Sequence, residues 1–345
     1  MTFDEVAPFL SSRLLHLILM PTEQCNFRCV YCFEDFSAGE MSRQVIGGVK
    51  ALLTRRVAGL DLLSLSWFGG EPLLAWPIVE EIQGFAAELT RVHPGVRFIG
   101  SMSTNGSLLT PDRFARLLAL GLRSFQVSLD GSREAHDSTR RRRSGGGSFA
   151  AIWRNLLAMR PSTEAFDVLL RLHVTRDNQE AIGQLLGELA RELGGDPRFA
   201  VVFKAIRRFG GPHDAQLPVL LPDEEAAVLG RLGARASELG FGNRQDVFAR
   251  PGMLQGCYAA ALGSYVVRST GELGKCTVAL DHPNNRIGKL LPDGTLDIDS
   301  PKMIGWLRGA LNGDRESLRC PARVWAGGAS GHEIPQRLVQ IGTAS

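Results

Sequence analysis

The sequence predicts an α/β fold: a partial (β/α)6 barrel, like an incomplete TIM barrel, followed by a C-terminal domain that contains hairpins. Apolar runs of strand length alternate with amphipathic helical stretches six times in the first two thirds of the chain, which is typical of a parallel sheet with crossover helices. Polar residues and glycines follow these runs, at the strand ends where such folds collect their chemistry. The later part of the chain instead contains short segments joined by turn sequences.

The barrel elements follow from these patterns in chain order. Five amphipathic helices separate six buried strands. The predicted strands are Leu15–Met20, Leu62–Phe68, Phe98–Met102, Ser124–Leu129, Val168–Val174 and Phe199–Ile206, and the predicted helices are Arg43–Arg56, Trp76–Val92, Pro111–Leu120, Phe149–Met159 and Asn178–Leu193.

After Ile206 the pattern changes. The Gly- and Pro-rich stretch Arg207–Leu221 predicts a linker or ordered loop, and Asp223–Leu239 predicts a helix. Two hairpins follow, and in the second one Asp293-Gly294 supplies the turn. Their strands are expected at Tyr265–Val267 with Gly274–Val278, and at Ile287–Leu291 with Leu296–Ile298. We therefore expect an N-terminal segment at 1–14, the barrel at 15–210, a linker and helix at 211–250, and a C-terminal cap at 251–345.

Composition excludes several classes of protein. The chain has 345 residues, of which 44% are hydrophobic and 22% charged, so it can build a large core and is not globally disordered. The net charge of +3 is too small to indicate a nucleic-acid or membrane partner. No apolar stretch approaches roughly 18 residues, and the start lacks a signal peptide, so we expect a cytoplasmic protein with reduced thiols.

Three of the six cysteines lie close together in the sequence. Cys25, Cys29 and Cys32 have the spacing C-x3-C-x2-C and directly follow the first predicted strand. Three thiolates within one loop suit a soft metal or an iron–sulfur cluster, and a set of three leaves one coordination position open. The alternative is a zinc site that a distant residue completes.

The segment CNFRCVYC resembles the cysteine motif of the radical S-adenosylmethionine enzymes. The resemblance implies that Cys25, Cys29 and Cys32 hold a [4Fe–4S] cluster, whose open iron binds the methionine part of S-adenosylmethionine. It also implies a radical reaction in which a 5′-deoxyadenosyl radical removes hydrogen from a substrate carbon. A flavodoxin or ferredoxin is the kind of electron donor that this chemistry implies.

Further motifs occur in the order of that family at successive strand ends. Gly69, Gly70 and Glu71 resemble the glycine-rich motif that contacts the amine of S-adenosylmethionine. The other residues that the resemblance implies as cofactor contacts are Ser103 and Asn105 after the third strand, Ser128 and Asp130 after the fourth, Arg140, Arg171 on the fifth strand, and Tyr31 and Phe33 beside the adenine. Apart from Arg140, the segment Arg140–Gly147 predicts a solvated loop.

The other three cysteines, Cys257, Cys276 and Cys320, are far apart in sequence. Their surroundings resemble the SPASM domain, a C-terminal extension that binds auxiliary iron–sulfur clusters. Three cysteines of that domain's pattern are replaced, by Ser317, Ala326 and Ser330. The resemblance therefore implies a reduced domain with one candidate auxiliary cluster, whose fourth ligand is Asp281, His282, a solvent or substrate atom, or absent. The alternative is a cap that serves packing and substrate binding.

Domains of the SPASM type imply a precursor peptide as the substrate. The loop Arg207–Asp214 resembles a Gly-Gly-Pro segment of the enzymes that form cyclophane crosslinks, so a peptide crosslink is the first hypothesis. The second is radical oxidation of a protein residue or a small-molecule alcohol, as in sulfatase maturases, and the third is a catalytically silent metal-binding scaffold. Since the barrel begins near residue 15, a leader peptide is expected to need another partner or an edge strand.

Overall fold

A computed structural model of the chain describes residues 2–241 and 256–325. The strands are β1 (Leu14–Leu19), β2 (Phe27–Cys29), β3 (Leu62–Trp67), β4 (Arg97–Thr104), β5 (Leu122–Leu129), β6 (Arg140–Arg142), β7 (Asp167–Val174), β8 (Phe199–Ala205), β9 (Ser264–Val267), β10 (Glu272–Gly274), β11 (Gly288–Leu290) and β12 (Leu296–Ile298). The helices are α1 (Phe3–Leu10), α2 (Arg43–Arg56), α3 (Trp76–Arg91), α4 (Pro111–Ala119), α5 (Arg133–Thr139), α6 (Phe149–Met159), α7 (Gln179–Leu193), α8 (Pro222–Glu238), α9 (Ser300–Asn312) and α10 (Arg315–Arg319).

One ten-stranded sheet carries the described part of the fold. Its strand order is β12-β11-β10-β9-β1-β3-β4-β5-β7-β8, and the six strands from β1 to β8 in this order are parallel. These are the six strands that the sequence predicts, so the partial (β/α)6 barrel is confirmed. Most residues of the parallel strands are buried, although β4 and β5 also carry polar side chains.

The crossover helices begin and end where the sequence provides the signals for it. Ser42 caps α2 by accepting a hydrogen bond from the backbone N–H of Val45, and Arg55 and Arg56 lie in its last turn, where the helix dipole favours positive charge. Thr110 caps α4 in the same way, and Pro111 follows at its first position. Local sequence therefore defines these helices, and their apolar faces cover the barrel.

The C-terminal region extends the same sheet. Strand β9 lies parallel to β1, with Tyr265 opposite Leu17, and β10 to β12 continue from it as an antiparallel meander. Both hairpins form, but the bounds of one strand were wrong: the strand expected at Gly274–Val278 instead spans Glu272–Gly274. The side-chain oxygen of Asn285 accepts hydrogen bonds from the N–H groups of Lys275 and Cys276, both at 2.9 Å. These N–H groups therefore do not donate to a neighbouring strand.

Several elements depend on contacts that the sequence pattern does not reveal. Helix α1 buries Phe9 against residues of the C-terminal region, and α9 buries Trp306. The arginine run predicted as a solvated loop instead contains β6, which pairs antiparallel with β2 so that Arg140 lies opposite Cys29. None of the helices in residues 2–241 and 256–325 is long and apolar enough to cross a membrane.

Candidate active site

The first cysteine set lies on the loop that leaves β1, and β2 forms part of this loop. The backbone N–H of Phe27 donates to the sulfur of Cys25 at 3.4 Å, and the N–H of Glu34 donates to the sulfur of Cys32. Burial raises the pKa of Cys25 and of Cys32 to about 12, so a thiolate at either position depends on a nearby positive charge such as iron.

The donor set of this loop fits an iron–sulfur cluster. Three sulfur ligands with one remaining coordination position match a [4Fe–4S] cluster whose fourth iron binds a small molecule. No three Cys, His, Asp or Glu side chains within residues 2–241 and 256–325 are arranged to hold a single metal ion.

Gly69 and Gly70 bring the end of β3 against the backbone that leads into the cysteine loop. A Cβ atom on Gly69 would lie 2.5 Å from the carbonyl oxygen of Thr22, and one on Gly70 would lie 2.4 Å from that of Gln24. Gly69 also has a φ of 106°, which favours glycine. The two glycines are therefore needed for this close approach of backbone to backbone, whatever else they contact.

Glu71 is fully buried behind the glycines. Its carboxylate accepts hydrogen bonds from the backbone N–H groups of Leu73 and Asn105, at 3.1 and 2.7 Å, and from the hydroxyl of Thr104 at 2.8 Å. Burial raises the pKa of Glu71 although these donors oppose the rise. All of these donors belong to the protein, so Glu71 connects the ends of β3 and β4.

The end of β4 faces the cysteine loop through Asn105. Its amide donates to Asn26 Oδ1 at 2.8 Å and lies 4.0 Å from the sulfur of Cys25. Ser103 lies two residues earlier in the chain and accepts a long hydrogen bond of 3.4 Å from Gln126 on β5. The structure thus places Asn105 next to Cys25, whereas Ser103 lies within β4.

Asp130 is the centre of a buried hydrogen-bond network at the end of β5. It accepts hydrogen bonds from the hydroxyls of Tyr31 and Thr139, at 3.0 and 2.7 Å, and from Nδ1 of His173 at 3.1 Å. Burial alone would raise the pKa of Asp130, but the His173 hydrogen bond and the Arg140 charge hold it well below its usual range. Burial lowers the pKa of His173 to about 4, so this contact joins a carboxylate to a neutral imidazole at pH 7.

Two arginines, the buried Arg140 and the half-buried Arg171, border this network. Arg140 donates to the hydroxyl oxygen of Tyr31 at 2.6 Å, and Arg171 lies on β7 opposite Ser128 of β5. The Nε atoms of Arg140 and Arg171 are buried and have no hydrogen-bond partner among the described residues. Since an unpaired buried donor is costly, these two atoms suit an anionic ligand such as a carboxylate.

Replacing Asp130 by asparagine is expected to lower the free energy of unfolding by about 3 kcal/mol, because it removes the buried negative charge that offsets the buried positive charge of Arg140. A folded pKa below the unfolded value of about 3.9 stabilises the protein above that value, and the stabilisation is lost as the pH falls through the folded pKa. Urea unfolding at pH 7 and at lower pH measures both effects. The exposed Asp223 is the control, and equal losses for Asp223→Asn and Asp130→Asn would contradict the role of the network.

The sequence did not single out all members of this network. Thr139, which donates to Asp130, lies beside Arg140, but nothing in its spacing marks it as functional. The same holds outside the network for Asn26, which accepts a hydrogen bond from Asn105. His173 stands alone on a strand, and its role becomes visible only when β5 and β7 place it beside Asp130. Tyr31 and Phe33, expected together beside an adenine, are directed to different places: Tyr31 contacts Asp130, whereas Phe33 contacts Phe209.

The second cysteine set is brought together by the C-terminal fold. Burial raises the pKa of Cys257 and of Cys276, and the three cysteines lie near enough that a negative charge on Cys320 would raise both pKa values further. The N–H of Val278 donates to the sulfur of Cys276 at 3.4 Å, and the N–H of Cys257 donates to the carbonyl of Leu318 at 2.8 Å. Three cysteines that are remote in sequence therefore share one location.

Two candidates for a fourth ligand, Asp281 and His282, contact other side chains. His282 stacks on Trp325 with ring centroids 5.7 Å apart, and Asp281 lies 3.5 Å from Arg268. Ser317, at a position where the SPASM pattern has cysteine, is buried and receives a hydrogen bond of 3.1 Å from Arg308. Ala326 and Ser330 lie outside the described residues, so the reduced SPASM domain and its auxiliary cluster stay predictions.

A cavity of about 290 Å³ separates the residues that follow Cys32 from those that follow Cys276. Phe33, Glu34, Phe209 and Leu280 are among the residues that line it. Phe209 belongs to the Gly-Gly-Pro loop, and its ring lies 5.4 Å from that of Phe33. Burial raises the pKa of Glu34 to about 7. Both cysteine loops thus contribute to the walls of one cavity.

Comparison with known proteins finds relatives of the barrel region. The family described as the radical SAM superfamily matches residues 19–185. An AdoMet-dependent heme synthase of Methanosarcina barkeri is 33% identical over 183 residues, which are 50% of this chain and 46% of that protein. The mycofactocin maturase MftC of Mycobacterium ulcerans is 28% identical over 328 residues, which are 90% of this chain and 78% of that protein. The chain thus spans less than half of the length of the heme synthase.

Solved structures share the fold. The enzyme anSMEcpe with bound AdoMet and Cp18Cys peptide superimposes with a TM-score of 0.62 at 19% identity, covering 84% of this chain and 80% of that one. Streptococcus suis SuiB bound to its precursor peptide SuiA superimposes with a TM-score of 0.61 at 16% identity, covering 86% of this chain and 67% of that one. Residues 19–185 thus match the radical SAM superfamily, and the fold around them is the one that these solved structures share.

Proposed function

We propose that this enzyme matures a ribosomally made precursor peptide by abstracting hydrogen from one of its side chains and forming a crosslink of the cyclophane type. The cavity between the two cysteine loops carries the proposal, because a peptide segment bound there would lie beside the first cysteine set. The likeness to MftC, named as a maturase, over most of this chain supports a peptide substrate, as does the fold shared with SuiB. The Gly-Gly-Pro loop forms one wall of the cavity, as a substrate-binding role would require.

In this proposal Cys25, Cys29 and Cys32 hold the [4Fe–4S] cluster. A cluster held there would supply the electron for reductive cleavage of S-adenosylmethionine. The buried Nε donors of Arg140 and Arg171 bind the carboxylate of S-adenosylmethionine, and the network around Asp130 fixes the Tyr31 and Arg140 side chains. Glu71 positions the glycine-rich turn and Asn105, while Ser103 and Ser128 line the barrel beside them.

A second candidate function is radical oxidation of a protein residue or an alcohol. A cluster held by Cys257, Cys276 and Cys320 could accept the electron that such an oxidation releases, and crosslinking releases one electron in the same way. Crosslinking and oxidation both remove two hydrogen atoms from the substrate. They differ in the product, because only oxidation creates a reactive carbonyl.

The test uses the full chain, anaerobically reconstituted with iron and sulfide, with dithionite, S-adenosylmethionine and a short peptide encoded beside the gene. We expect 5′-deoxyadenosine and a peptide that has lost two hydrogens, resists fragmentation between the linked residues and does not react with a hydrazide. Mass spectrometry measures all three properties, and Cys25→Ala is the control. A hydrazide-reactive product would favour oxidation, and no 5′-deoxyadenosine under any condition would favour the silent scaffold.

A further inference from the structure

The walls of the cavity carry more negative than positive groups. Four carboxylates and two guanidinium groups line it: Glu23, Glu34, Asp35 and Asp281, with Arg208 and Arg268. An excess of one charge within a concave site attracts ligands of the opposite charge. Which of these groups is available to a ligand depends on the contacts that each already makes.

Both arginines of the cavity are bound to other groups of the protein. Arg268 donates to Glu23 Oε2 at 2.5 Å and also lies 3.5 Å from Asp281. Arg208 donates to two backbone carbonyl oxygens of its own loop, at 2.8 and 3.3 Å. Glu23 accepts further hydrogen bonds from the N–H and hydroxyl of Ser269. Glu23 is thus satisfied within the protein, and neither arginine donates to Glu34.

Glu34 differs from the other carboxylates of the cavity. Its Oε2 atom is buried and has no hydrogen-bond partner among the described residues. A buried carboxylate oxygen without a donor is costly, so a donor from outside the chain would stabilise it. The N–H of Glu34 donates to the sulfur of Cys32, which ties the backbone at this residue to the first cysteine set.

We propose that the cavity binds a lysine or arginine side chain of the substrate peptide, and that the Glu34 carboxylate accepts a hydrogen bond from its charged head. This inference rests on the proposed peptide substrate. Phe33 and Phe209 offer apolar surface to the methylene stem of such a side chain. Because the anchor lies two residues after Cys32, it would hold the neighbouring peptide residues close to the site of radical chemistry.

The test compares two probes of the same shape, N-acetyl-L-arginine amide, which is charged, and N-acetyl-L-citrulline amide, which is neutral. Each is titrated calorimetrically into the anaerobically reconstituted full chain without reductant, so that no radical chemistry is involved. We expect the arginine probe to bind about tenfold more tightly than the citrulline probe, as a charge-assisted hydrogen bond requires. Glu34→Gln is expected to weaken the arginine probe about tenfold and to leave the citrulline probe unchanged.

Asp35→Asn is the matched control, because Asp35 lines the same cavity but is exposed and accepts a hydrogen bond from Ser37 at 2.9 Å. It is expected to change the binding of either probe by less than about twofold, as a screened surface charge does. Iron content and circular dichroism check that each variant is folded. Equal affinity of both probes for the wild type, or equal effects of Glu34→Gln and Asp35→Asn, would overturn the anchor, whatever the outcome of the peptide-modification assay.

Discussion

A variant in which Cys25, Cys29 and Cys32 are all replaced by alanine is expected to lose about four iron atoms per chain and to form no 5′-deoxyadenosine. The reason is that these three sulfur atoms are the proposed protein ligands of the cluster, and no other thiol of the described residues lies on this loop. Iron and sulfide analysis after anaerobic reconstitution measures the first effect, and chromatography of the reaction products measures the second.

The matched control replaces Cys257, Cys276 and Cys320 by alanine. If these cysteines hold an auxiliary cluster, the control variant loses iron as well but keeps the iron that the first set binds. If the control variant keeps all of its iron, the C-terminal cysteines hold none and the region is a cap that serves packing. Full iron in the variant of the first set would contradict the assignment of the radical SAM cluster to this loop.

The sequence was sufficient to predict those parts of the site whose residues lie close together in the chain. The three cysteines of the first set lie within eight residues, so their spacing alone predicts a common centre. The six parallel strands could be predicted because each contains a run of mostly apolar residues, most of which are buried. The motifs at the strand ends then meet at one edge of the sheet, since parallel strands present the same end there.

Features that depend on long-range pairing could not be predicted in the same way. Arg140 belongs to a run of four arginines, and such runs are usually solvated. It is buried here because β6 pairs with β2, which places it opposite Cys29. The orphaned Nε atom of Arg171 and the unpartnered oxygen of Glu34 are likewise properties of the packed chain and leave no trace in the spacing of residues.

Gly70→Ala is expected to lower the free energy of unfolding by about 3 kcal/mol and to reduce the iron content of the reconstituted protein. The added Cβ atom would lie 2.4 Å from the carbonyl oxygen of Gln24 and 2.9 Å from that of Glu23. Both neighbours are backbone atoms, so no side chain can rotate to relieve the contact. The segment that leads into Cys25 must therefore shift, and the first cysteine shifts with it.

Gly47→Ala is the matched control, because Gly47 lies within α2 and a Cβ atom there would meet nothing within 4 Å. Alanine is favoured over glycine inside a helix, so this variant is expected to gain about 0.5 to 1 kcal/mol and to keep its iron. Urea unfolding of the apoprotein separates the effect on stability from the effect on iron content. If Gly70→Ala keeps both its stability and its iron content, the approach of the β3 end to the cysteine loop is not needed to place Cys25. If it loses iron but keeps its stability, the glycine serves to position the cluster ligands and contributes little to the fold.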